Sequence, residues 1–82
     1  MTRKRIRVGD IGPGIFSSER SVSFEAGGKH YNLIVDADQL QDNTLVVQVV
    51  AEGDKEALID LPQETSISGN RIRILKEQLL PV

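Results

Sequence analysis

His30, the chain's one histidine, is the natural starting point for a search for catalysis, because serines stand at 17, 18, 21 and 23 and carboxylates are plentiful. Nucleophilic catalysis needs a hydroxyl or thiol, a base, and a third group that orients the base. The local pattern places His30 across a hairpin from Glu25, on the polar side and away from any recess. That arrangement reads as a surface histidine beside a carboxylate. Asp36, Asp38, Asp42 and Asn43 carry oxygens suited to a hard cation, but their spacing is not that of a calcium loop, and short polar side chains are what turns recruit. Gly12-Pro13-Gly14 and Gly27-Gly28 lack the following helix and lysine that a phosphate-binding loop requires. The close carboxylate pairs Asp36/Asp38 and Glu52/Asp54 fall on turns, with no apolar surroundings to raise a general acid. These residues give no catalytic constellation, so the expectation is a protein that is not an enzyme and takes no metal or cofactor.

The cations are patterned more distinctly. The chain has 82 residues and a net charge of −2, yet Arg3, Lys4, Arg5 and Arg7 gather near one end and Arg71, Arg73 and Lys76 near the other. Asp36, Asp38, Asp42, Glu52, Asp54, Glu56, Asp60 and Glu64 occupy the middle. Alternate residues of a strand project to one side. If the first and last strands were neighbours, Arg3, Arg5, Arg7, Arg71 and Arg73 would share a face suited to phosphate through their planar donor forks. The acidic balance, and aromatics confined to Phe16, Phe24 and Tyr31, all assigned inward, weigh against a nucleic-acid binder, which usually offers stacking platforms.

The elements behind these positions are strands. Residues 44–61, TLVVQVVAEGDKEALIDL, form the most apolar stretch, broken at Glu52-Gly53-Asp54-Lys55 and rich in the β-branched residues that suit a pleated surface. Leu45, Val47, Val49 and Ala51 alternate in its first half; Ala57, Ile59 and Leu61 alternate in its second. A loop of three or five residues would pair Val49 with Ala57 and Val47 with Ile59, uniting these sets on one face. Residues 20–37 form a clearer hairpin. A two-residue turn at Gly27-Gly28 pairs Ala26 with Lys29, Phe24 with Tyr31 and Val22 with Leu33, leaving every large apolar group but Ile34 on one side.

Residues 3–8 alternate as a half-buried strand. Residues 9–14 read as a turn, with Ile15 and Phe16 returning to the core as an apolar plug. Residues 36–43 read as a loop or single helical turn capped by Asp or Asn. Thr65 and Ile67 suggest a short edge segment, Gly69-Asn70 a turn, and residues 71–75 a last strand. Lys76 to Leu80 suit one helical turn that closes an end of the fold before Pro81. The resulting fold class is all-β, a single domain: a small antiparallel barrel or sandwich of roughly five or six strands with at most one short helical turn. This order is compatible in architecture with an SH3-like barrel.

One apolar set is left over. Ile34, Val46, Val50 and Leu58 face away from the main core in these registers, and a contiguous apolar set on neighbouring strands marks a contact surface. Its cover would be either the turn at Lys76 to Leu80 or a second chain. The function expected is therefore a non-enzymatic protein-interaction module that contacts another protein or self-associates as a homo-oligomer. The alternative is nucleic-acid or other anionic-ligand binding through the arginines. Cysteine is absent, no run reaches the ~20 apolar residues of a membrane span, and the start lacks an apolar leader, so the expected setting is cytoplasmic.

Overall fold

The computed structural model describes residues 2–65 and 69–82. In chain order its strands are β1 (Thr2–Arg7), β2 (Gly9–Pro13), β3 (Glu19–Ala26), β4 (Lys29–Asp36), β5 (Leu40–Gln41), β6 (Thr44–Glu52), β7 (Glu56–Asp60) and β8 (Arg71–Leu75). Two 3-10 turns, Ala37–Gln39 and Lys76–Gln78, are the helical content among the described residues. All pairing is antiparallel: one sheet runs β1-β6-β7-β8, with β5 also on β6, and the other runs β2-β3-β4. The sheets face one another as an open sandwich and do not close into a barrel.

The β3–β4 hairpin has the register its alternation demands. Gly27 and Gly28 both adopt positive φ, 58° and 76°, which is the backbone a two-residue primed turn requires. Ala26 then meets Lys29, Phe24 meets Tyr31 and Val22 meets Leu33. The Phe24 and Tyr31 rings stack with centroids 5.3 Å apart.

β2 replaces the expected turn at residues 9–14. It is an outer strand, where proline and glycine cost the ladder little. Its pairing jumps from Gly9↔Ser23 to Gly12↔Ser21, so one extra residue bulges out, and Asp10 takes φ 49° there. The Asp10 carboxylate accepts a 3.0 Å hydrogen bond from the buried Ser23 hydroxyl, which satisfies that polar group.

The central hairpin unites its apolar faces by a different device from the odd loop expected. Glu52 pairs with Ala57, so residues 53–56 make an even connection, closed by Gly53 N–H to the Glu56 carbonyl at 2.8 Å. The register then shifts between Val49 and Ala51, and Val49 meets Ile59 instead of Ala57. This bulge at Val50 brings Leu45, Val47 and Val49 onto the face of Ile59 and Leu61. It also turns Ala51, expected inside, out to solvent.

Residues 36–43 contain the single helical turn that was expected, followed by a tight turn at Asp42 and Asn43, both with positive φ (52° and 60°), that folds β5 onto β6. The edge segment expected at Ile67 lies outside the described residues. Ile6, Leu45, Val47, Val49, Ile59, Ile72 and Ile74 from one sheet, with Val8 and Leu61 just beyond β1 and β7, meet Val22, Phe24, Ala26, Tyr31, Leu33 and Val35 from the other in one buried cluster. The turn at Lys76–Gln78 carries the chain from β8 back toward β1. Leu79 packs on the cluster, and Leu80 exchanges backbone hydrogen bonds of 3.0 and 2.7 Å with Arg5. The closing turn thus spends its apolar residue on the core.

Candidate interaction surfaces

Strand order decides the arginines. Arg3, Arg5 and Arg7 lie across from Gln48, Val46 and Thr44, while Arg71 and Arg73 lie across from Asp60 and Leu58. They share the outer face of one sheet, but β1 and β8 are its opposite edges, with β6 and β7 between them. At about 4.8 Å per strand spacing the two rows stand roughly 14 Å apart. The condition for one compact patch, neighbouring first and last strands, is not met.

Several of these cations are also engaged. Arg71 grips Asp60 with two bonds, Nε to Oδ1 at 2.7 Å and Nη2 to Oδ2 at 3.0 Å. That hydrogen bonding is the main reason the Asp60 carboxyl lies below the ordinary aspartate value; desolvation opposes it, and the charge of Arg71 adds the smallest contribution. The same bonds raise Arg71. Arg5 donates Nε to Thr44 Oγ1 at 2.6 Å and Nη2 to the carbonyls of Thr44 and Gln39 at 3.1 and 3.2 Å. Arg73 has only a 4.0 Å approach to Glu56. Arg3 and Arg7 are exposed.

The leftover apolar set divides as well. Val46, Val50 and Leu58 share the outer face of the β1-β6-β7-β8 sheet and are half-buried, with Arg5 across from Val46 and Arg73 across from Leu58. Long arginine stems can shield such a strip while their heads stay in water. Ile34 belongs to the other sheet and is 38% exposed. The four do not form one surface.

His30 lies across from Glu25 as the pattern predicts, its Nδ1 3.7 Å from Oε1, with both side chains substantially exposed. Among the described residues no group of three His, Cys, Asp or Glu side chains is placed to hold a metal ion. No helix of the described residues is long and apolar enough to cross a membrane.

Besides Ala51, sequence reasoning misplaced Ile15 and Phe16. They do not return to the core; they are 78% and 67% exposed at the tip of the β2–β3 connection. The tip is held firmly. Gly14 N–H donates to the Glu19 carbonyl (3.1 Å), Glu19 N–H to the Phe16 carbonyl (3.0 Å), and Phe16 N–H to Glu19 Oε1 (3.1 Å). Arg20 Nη1 adds a bond to the Ser17 carbonyl at 2.8 Å. The flanking Gly12-Pro13-Gly14 and Ser17-Ser18 were the available signal, since turn residues on both sides mark a projecting tip.

Among the clefts lined by described residues, two adjoin β4. One of about 700 Å³ lies on the outside of β2-β3-β4, with Asp10, Ser21, Asn32 and Ile34 facing residues 63–65. The other, about 450 Å³, lies between Lys29 and Tyr31 of β4 and Arg71, Ile72 and Arg73 of β8. No family model matches the chain, and neither a curated protein nor a solved structure matches it.

Proposed function

We propose that this domain is a non-enzymatic protein-interaction module that contacts its partner, or a second copy of itself, through the Ile15–Phe16 tip. The observation that carries the reading is two adjacent large apolar side chains held out in water on a loop pinned by its own hydrogen bonds. Scattered exposed hydrophobes are ordinary. A pinned pair is different: burying each would be worth about 1.5–3 kcal/mol, and little conformational entropy remains to be lost on docking.

The competing reading, an anionic ligand or nucleic acid on the arginines, has less support, because the two rows are separated and Arg71 and Arg5 are already bonded. It would still reveal itself as affinity that falls steeply with salt and disappears in an Arg5→Glu, Arg73→Glu chain.

The test is a photo-crosslinking amino acid at position 16, compared with one at exposed Asp54, in the source cells. Crosslinked protein expected at 16 and absent at 54 supports the reading; equal or absent crosslinking at both sites removes it. Sedimentation of the pure chain separates a self-contact from a different partner.

A further inference from the structure

The outer faces of the two sheets differ in charge. On β1-β6-β7-β8 the outward positions hold Arg3, Arg5 and Arg7 at one edge and Arg71 and Arg73 at the other, against the carboxylates Glu56 and Asp60. The chain has ten Lys and Arg and twelve Asp and Glu, so five cations and ten carboxylates remain for all the rest of it. On β3 and β4 the outward charged groups are Glu19, Glu25, His30 and Asp36, with no lysine or arginine among them.

The Ile15–Phe16 tip stands at the end of that second sheet. Glu19 and Asp36 are directly opposite one another at its base. Ala37 N–H, 2.8 Å from the Ser18 carbonyl, brings the turn that carries Asp38 alongside. Arg20 is the one cation in residues 13–20 and 36–39 and offsets one of the three carboxylates. Its Nη1 is turned back to the Ser17 and Glu19 carbonyls at 2.8 and 2.7 Å. The tip is an apolar knob in an acidic collar.

The outer face of β1-β6-β7-β8 has the converse pattern. Val46, Val50 and Leu58 are half-buried there, with Arg5 across from Val46 and Arg73 across from Leu58. The basic face meets the acidic collar at Arg5, whose Nη2 reaches the Gln39 carbonyl at 3.2 Å. Charge then decides how two copies can meet. Two basic faces repel when apposed, and so do two acidic collars, which disfavours a two-fold contact of either with itself. A collar set on a basic face is attractive, and it takes Ile15 and Phe16 out of water.

We infer that the partner of the tip is a second copy of this chain: Ile15 and Phe16 of one copy seat on Val46, Val50 and Leu58 of the next, with Asp36 and Asp38 toward Arg3 and Arg73. Each copy in such a contact still offers its own free tip or free face, so association runs head to tail into a ring or an open chain. This assignment rests on the tip reading above and names its partner.

The experiment sediments the pure chain at low salt from about 10 μM to about 1 mM, a range suited to a contact of small area. The average mass should climb past that of a dimer and fall back when salt is raised to about 0.5 M. Two double variants at exposed sites, Ile15→Ser with Phe16→Ser and Arg3→Glu with Arg73→Glu, should each stay monomeric where the parent associates. Mixed, they should form a 1:1 dimer, because the first keeps the face and the second keeps the tip. A benzophenone amino acid at position 16, irradiated in the pure chain, should join β6 or β7 of a second copy. That map uses an unaltered face and decides the matter even where a variant folds poorly. A monomer at every concentration, a mass that levels at a dimer, or a crosslink from 16 to 16 or to β3 or β4 would overturn the inference. A monomeric chain whose position 16 captures a different protein in cells overturns this assignment alone and leaves the tip reading standing. Equal or absent crosslinking at 16 and 54 removes both.

Discussion

Asp60 and Arg71 show how a single exposed pair can leave a measurable trace. The Asp60 carboxyl is held below its ordinary value by the Arg71 fork. A group with a depressed folded-state pKa stabilises the fold above its unfolded value, near 4, and loses that contribution as pH falls through the lowered one. Thermal melts of the parent and of Asp60→Asn should therefore differ most near neutral pH and converge as the pH falls through the lowered value. Solvent screening keeps the difference small. Apolar residues divide by exposure in the same local way. Ile59 is fully buried, so Ile59→Ala should cost about 2–5 kcal/mol in urea unfolding. Phe16→Ser, at a site that is 67% exposed, should fall within about 0.5 kcal/mol of the parent.

At the level of elements, the two irregular strands carry the sharpest expectations. A Cβ on Gly14 would stand 2.5 Å from the Glu19 Cβ and 2.9 Å from its carbonyl carbon, and backbone cannot yield as a side chain tip can. Gly14→Ala should cost about 1–3 kcal/mol and speed exchange of the Gly14 and Phe16 amides, loosening the tip. The bulge on β6 makes the opposite kind of prediction. Val50 is the residue left over between Val49↔Ile59 and Ala51↔Leu58, so deleting it leaves every other pair of the hairpin in place. That chain should fold within about 2 kcal/mol of the parent. Deleting Val47, on an unbroken part of the ladder, moves half of β6 by one residue and turns apolar groups outward; circular dichroism should show no cooperative unfolding.

Across the whole molecule, the last residues join the two edges of one sheet. The chain leaves β8, turns at Lys76–Gln78, buries Leu79 against the core and bridges Arg5 through Leu80. Removing residues 79–82 should lower unfolding stability by about 2 kcal/mol, from the lost apolar contact, and should expose the Arg5 amide to exchange. On the opposite side, Lys29 and Tyr31 of β4 share a cleft with Arg71, Ile72 and Arg73 of β8.

The all-β class and the β3–β4 hairpin were legible in the amino-acid sequence because both rest on short-range rules: alternation with period two, and a glycine pair able to take positive φ. Phe24 against Tyr31 and His30 against Glu25 follow from counting outward from that turn. The united core face of the central hairpin was legible too, but the bulge at Val50 was not. The need for it arises only when β6 must satisfy β1 on one side and β7 on the other. β2 was missed because an outer strand that carries Gly9, Gly12 and Pro13 shows no alternation. Ile15 and Phe16 look like core residues to any rule based on hydrophobicity. Their exposure follows from a core already filled by the two sheets, which is a condition on the whole molecule. The separation of Arg3, Arg5 and Arg7 from Arg71 and Arg73 is of the same kind. Strand order is set by long-range packing between distant segments, and local sequence carries no energy term that specifies it.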